Sequence, residues 1–258
     1  MAEAAGRTRP SLPRRVVRRL RRVALGALGA TPFGTITAVR TDQPLCALTF
    51  DGGPDERWTP HVLDVLDAHG AKGTFFVIGK YVDAHPDVMQ RLHAGGHALG
   101  NHTYDHPSFP LVDGAARRRE LRACATALEP YPQARKLFRP PYLDQDFGSR
   151  LDSWRLGYEV IACSLHATDW EDRDADAIAA DLTEGATPGD VIMLHDAVCD
   201  QRYRSREAMI EGLDAFLARR TDLRFVTVDA LLRAGAPRRE IWFKRPNLAR
   251  FASYERVI

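Results

Sequence analysis

None of the four cysteines, Cys46, Cys124, Cys163 and Cys199, stands at Cys-x-x-Cys spacing from another. The chain therefore lacks a thiol pair for redox work or a cysteine metal clip. Three of them lie in or beside apolar strand-like runs and read as reduced core thiols. A long hydrophobic run is missing as well. The stretch Val23 to Ala30 is short, punctuated by glycine and followed by Pro32, well under the roughly 20 residues that span a bilayer. Nor does one sign of charge dominate: 36 Lys and Arg against 34 Asp and Glu leave +2, so nucleic acid is not an expected partner.

What is present is a chain of 258 residues, 45% of them hydrophobic, enough to bury the core of one large α/β domain. Residues 1–43 read as a basic, partly ordered N-terminal segment. Its Arg14, Arg15, Arg18, Arg19, Arg21 and Arg22 precede the short apolar run, which is the order of a signal peptide. A basic amphipathic segment making peripheral contact with an anionic membrane is a rival reading; a solvated tail is another. Residues 237–258, with Trp242, Phe243, Phe251 and Tyr254 among arginines, read as an extension packed on the domain formed by residues 44–236.

Within that domain, strand and helix patterns alternate about seven times, which predicts parallel strands with helical crossovers, most simply an α/β fold of the distorted (β/α) barrel type. The first strand, Pro44 to Asp51, ends in a carboxylate followed by Gly52-Gly53-Pro54. Thr59 to Gly70 follows as a helix with a Thr cap, Pro at its first position and Gly at its end. Four further polar segments also trail apolar runs: Asn101 to Pro107, Arg139-Pro140-Pro141-Tyr142, Asp169-Trp170 and Leu194-His195-Asp196. In a barrel such positions share one rim. The spacing of His102 and His106 predicts two imidazoles on one face of a helical turn. Singly, each residue has an ordinary structural explanation, since a buried His is usually just hydrogen-bonded and an Arg near a strand end usually pairs with a carboxylate.

Together these segments resemble the polysaccharide deacetylase family, which carries the NodB-homology domain (carbohydrate esterase family 4). Thr49-Phe50-Asp51-Gly52-Gly53-Pro54 stands where that family has T-F-D-D-G-P, and His102-Thr103-Tyr104-Asp105-His106 fits its H-[S/T]-x-x-H. Arg139-Pro140-Pro141-Tyr142, Asp169-Trp170 and Met193-Leu194-His195 fit the remaining motifs. The resemblance implies a hydrolase that removes the acetyl group of an N-acetylated amino sugar with a divalent metal, zinc first and cobalt or another transition metal next. By the same resemblance Asp51 is the base, His102 and His106 hold the metal, Arg139 holds Asp51, and Tyr142 offers a backbone N–H to the oxyanion. His195 protonates the leaving amine and Asp169 orients it. Trp170, Met193 and Leu194 contact substrate.

Three departures stand out. Gly52 replaces the carboxylate that completes the family's metal site, leaving His102 and His106 to hold the ion with waters or substrate, or with Asp51, Asp55 or Asp105 as a substitute ligand. Leu143 takes the place of a usual Gly, and His166 that of a usual Asp. On this reading Gly52→Asp is expected to tighten metal retention. Gly52 also keeps an alternative alive, a member with weak or no metal binding that acts as an altered amide hydrolase or binds glycans without turnover. A barrel glycosidase would need two carboxylates across a sugar bond and would leave the histidines without a task. The expected setting is cytoplasmic or membrane-associated, with export as the alternative.

Overall fold

The computed structural model describes residues 23–198 and 205–247. Cys199, the arginines at 14–22, Phe251 and Tyr254 lie outside them. Ten strands occur among the described residues: β1 (Thr35–Arg40), β2 (Leu45–Asp51), β3 (Gly73–Val77), β4 (Ala98–Asn101), β5 (Leu137–Phe138), β6 (Glu159–Val160), β7 (Leu165–His166), β8 (Val191–His195), β9 (Arg224–Val226) and β10 (Ala236–Glu240). The sheet runs β6-β5-β4-β3-β2-β8-β7, with β9 paired to β2 off that path. Every pairing in it is parallel. Helices such as Trp58–Ala68, Pro86–Ala94, Gly114–Ala127 and Glu207–Arg219 make the crossovers. This is an α/β fold, a distorted and incomplete (β/α) barrel. Among the described residues, no helix is long and apolar enough to cross a membrane.

The two-residue period of β2 explains its unbroken burial. Cys46, Leu48 and Phe50 pack with Val62, Leu63 and Leu66 of helix Trp58–Ala68 on the outer face, while Leu45 and Ala47 join Ile36, Phe76 and Val191 inside. Thr49 and Asp51 continue the inner row toward the C-terminal rim. A strand covered on both faces must be apolar throughout until it reaches the rim, where a carboxylate becomes tolerable.

The sequence reading passed over β1 and β10. They form an antiparallel ribbon across the open side of the barrel: the Ala162 amide donates to Ile36 O at 2.8 Å and the Val39 amide to Gly189 O at 2.8 Å. Thr59, read as a helix cap, lies inside helix Trp58–Ala68. The capping acceptor is Asp55, whose Oδ1 takes the Arg57 and Trp58 amides at 2.9 and 2.8 Å. Cys46, Cys124 and Cys163 are free and buried, and burial pushes their thiols up to about 12, 12 and 11.

Candidate active site

The rim gathers the polar residues of five segments. Asp51 ends β2 and is 4% exposed. Its Oδ1 accepts from Arg139 Nη1 at 2.6 Å. Arg139 has no exposure at all, and three more of its five N–H donors go to Thr49 Oγ1 at 2.8 Å, Ile161 O at 3.2 Å and Ala162 O at 2.8 Å. The guanidinium also stands 4.2 Å from the Phe76 ring centroid. A buried charge needs partners of this kind, because its burial is offset only by a counter-charge and well-made hydrogen bonds.

Asp51 Oδ2 faces His102 Nε2 at 3.9 Å. His102 Nδ1 lies 2.7 Å from Arg139 O, a contact that requires its proton there and leaves Nε2 as the lone-pair nitrogen. His106 Nε2 is 3.2 Å from His102 Nε2. The pair does not sit on a helical turn. Thr103 and His106 both have left-handed backbones, with φ of 71° and 66°. The loop is held open by side-chain acceptors: Asn101 Oδ1 takes the Thr103 amide at 2.8 Å, and Glu120 Oε2 takes those of Tyr104 and Asp105 at 3.0 and 2.8 Å. Burial drives His102 down to about 3 and, with the charge of His102, His106 well below its ordinary value. Both imidazoles are therefore neutral donors at pH 7.

Two nitrogens on one tetrahedral zinc at about 2.0–2.1 Å would stand about 3.3 Å apart, so the observed pair fits a divalent ion. A third protein donor is less well placed. No cluster of three or more His, Cys, Asp or Glu suited to a metal occurs among the described residues. Asp55 is occupied in capping, and Asp105 is exposed and paired with Lys80 at 3.6 Å. Asp51 is the carboxylate beside the imidazoles. Gly52 itself has φ +97°, and a Cβ there would run into Ala197 O. A side chain at position 52 would therefore meet the main chain of residue 197, which bears against the expectation that Gly52→Asp tightens metal retention.

Across the rim, His195 at the end of β8 places Nδ1 3.1 Å from Asp169 Oδ1. Its amide donates to Asp169 Oδ2 at 2.9 Å. Arg206, which the sequence reading missed, donates to Asp169 O at 2.8 Å. Burial alone would lower the His195 pKa, but the charge and hydrogen bond of Asp169, with the charge of Asp51, raise it above 6.5. The Trp170 ring sits against His195, centroids 5.3 Å apart. Next to it Asp196 is buried; Thr59 Oγ1 donates to it at 2.6 Å and the Gly53 amide at 3.1 Å. Burial pushes that carboxyl up to about 7.

A cavity of about 620 Å³ opens over Asp51, Gly52, both histidines, Tyr142, Trp170, Met193 and His195. Leu194 is not part of it: the strand period turns Leu194 into the helix-side core, so only Met193 of that pair faces the cavity. Tyr142 packs against His106 with centroids 4.7 Å apart. Tyr142 and Leu143 follow one another in left-handed backbone, φ 58° and 56°, at a cost of about 1–2 kcal/mol each. Arg238, Glu240, Trp242 and Lys244, from β10 and the segment after it, also line the cavity.

Residues 38–161 match the family model for polysaccharide deacetylase. A peptidoglycan-N-acetylglucosamine deacetylase of Bacillus cereus is 32% identical over 208 residues, covering 78% of this chain and 95% of the relative. The chain belongs to the polysaccharide deacetylase family. Another family member, a chitooligosaccharide deacetylase of Rhizobium leguminosarum bv. trifolii, is 35% identical over 152 residues, 58% of this chain and 70% of the relative. Among solved polysaccharide deacetylases, a peptidoglycan N-acetylglucosamine deacetylase crystallised with an aryl hydroxamic acid derivative superposes with a TM-score of 0.71 at 27% identity, over 78% of this chain and 94% of that one.

Proposed function

We propose that this chain hydrolyses the N-acetyl group of an amino sugar, with peptidoglycan or chitooligosaccharide as the substrate class indicated by its relatives. The observation that carries the reading is the pairing of Asp51 with Arg139 and of His195 with Asp169 around one cavity that also holds two neutral imidazoles. His102 and His106, with Asp51 Oδ2 in reach, would hold a divalent ion. Such an ion supplies Lewis-acid polarisation of the acetyl carbonyl.

The chain's own residues divide the remaining work. Arg139 fixes Asp51 so that Oδ2 points into the cavity, where it takes a proton from water as the oxygen bonds to the acetyl carbon. The Tyr142 amide stabilises the charge that develops on the carbonyl oxygen. As the carbon–nitrogen bond breaks, His195 delivers its proton to the departing nitrogen, leaving acetate and a free amine. Asp169 keeps the imidazolium form available at neutral pH, Trp170 flanks it, and Met193 lines the cavity for the acetyl methyl.

The test is acetate release from a chitooligosaccharide and from peptidoglycan, before and after chelation. Release that disappears with chelator and returns with zinc or cobalt supports the reading; release untouched by chelator removes the ion from it. The blocked slot at Gly52 favours a second reading, a member that holds its ion weakly. Sub-stoichiometric metal in the purified protein, with activity restored only by added ion, distinguishes it. Glycan binding without acetate release under any metal would leave a binding protein.

The His195–Asp169 pair predicts a pH dependence. Since His195 acts in its protonated form and its pKa is raised, kcat/KM is expected to fall on the alkaline side above the ordinary imidazole value. Asp169→Asn removes the charge that raises it and should move that limb to lower pH. An unmoved limb in the variant would show that some other group titrates.

A further inference from the structure

We propose that the segment after β10 is a strap that sets the catalytic turn, with Trp242 and Lys244 as positioning residues for the Tyr142 amide. Lys244 Nζ donates to Tyr142 O at 2.6 Å and Trp242 Nε1 to Leu143 O at 3.1 Å. Gln145 ties the same segment from below, its side chain donating to Trp242 O at 2.8 Å and its amide to Lys244 O at 3.1 Å, while the Lys244 amide returns to Gln145 O at 2.9 Å.

The carbonyls of two consecutive left-handed residues are thus each held by a side chain from the far end of the chain. Neither Tyr nor Leu adopts that backbone willingly, and a turn of this kind persists where its surroundings over-determine it. The Asp144 amide closes the same turn onto Pro141 O at 3.0 Å, so releasing the Tyr142 and Leu143 carbonyls would loosen the turn that carries the Tyr142 amide. Both donor residues also line the cavity, so the strap is part of the site whose turn it holds. The inference rests on the role proposed for the Tyr142 amide.

The experiment compares Lys244→Met and Trp242→Phe with the parent protein, measuring chitooligosaccharide deacetylation and hydrogen exchange of residues 139–146 by mass spectrometry. Each variant is expected to lose about tenfold in kcat with KM changed by less than about twofold, the pattern of a misplaced stabilising group, and to exchange faster in that segment alone. Lys244→Arg should restore kcat. In a Leu143→Gly background, where the left-handed backbone carries no Cβ penalty, the Lys244→Met loss should shrink.

An unchanged kcat, or a loss of the same size in the Leu143→Gly background, overturns the proposal. If the parent protein releases no acetate, the deacetylase reading fails separately. The exchange measurement then decides the strap, because unaltered protection of 139–146 in both variants would reject it without reference to activity.

Discussion

Asp51→Asn is expected to lower acetate release by about 10²-fold or more while leaving a folded protein. The substitution keeps an Oδ1 for Arg139 Nη1, and Thr49 Oγ1, Ile161 O and Ala162 O continue to accept from that guanidinium. It removes the negative charge of Oδ2, the atom that faces His102 Nε2 at 3.9 Å. An amide cannot accept a proton from water at neutral pH. The two consequences separate in measurement. Circular dichroism should match the parent, with a lowered denaturation midpoint because the buried guanidinium loses its counter-charge, whereas turnover collapses. The same atom has a second use: if Asp51 also steadies the ion, Asp51→Asn lowers zinc affinity in a calorimetric titration. Turnover within a few-fold of the parent would sink the assignment of Asp51 as the base, and the reaction would then need another acceptor in a cavity that offers no better placed carboxylate.

The rim was legible because a carboxylate, a histidine or an arginine directly after a fully buried apolar run has few places to be other than the strand's exposed end. Asp51 after Leu45–Phe50, Arg139 after Leu137–Phe138 and His195 after Val191–Leu194 all follow that rule. The same rule, applied one residue further, would have turned Leu194 away from the cavity: neighbours in a strand face opposite sides, so Leu194 cannot share the direction of His195. Other features had no local signal. β10 is the charged stretch Ala-Pro-Arg-Arg-Glu, a strand only because β1 pairs with it from the other end of the chain. The spacing of His102 and His106 suits a helix, and the departure depends on Asn101 and Glu120 side chains replacing the helical hydrogen bonds. Gly52 was read as a vacancy because sequence shows the missing side chain and not the backbone that moves in.

That backbone makes Gly52→Asp the most informative substitution at the metal seat. With φ +97° and Ala197 O standing against the Cβ position, the change brings left-handed strain of about 1–2 kcal/mol and overpacking of about 1–3 kcal/mol. The protein is expected to lose roughly 10 °C in Tm. Relief by moving residue 197 is opposed by its neighbour, since Asp196 is latched to the Gly53 amide and to Thr59 Oγ1; a Cβ at Gly53 would itself meet Asp196 Oδ2, so the two strands of chain are fitted against each other on both sides of the turn. Added carboxylate or not, the variant should therefore bind zinc no more tightly than the parent, as read by titration and by metal content after dialysis. A variant with an unaltered Tm and tighter zinc would mean that residues 196–198 swing aside at little cost, and that the seat lacks nothing but the one carboxylate. The expected result places the constraint in the main chain around Ala197, so that a full third ligand could be regained only by reshaping the segment after β8 together with position 52.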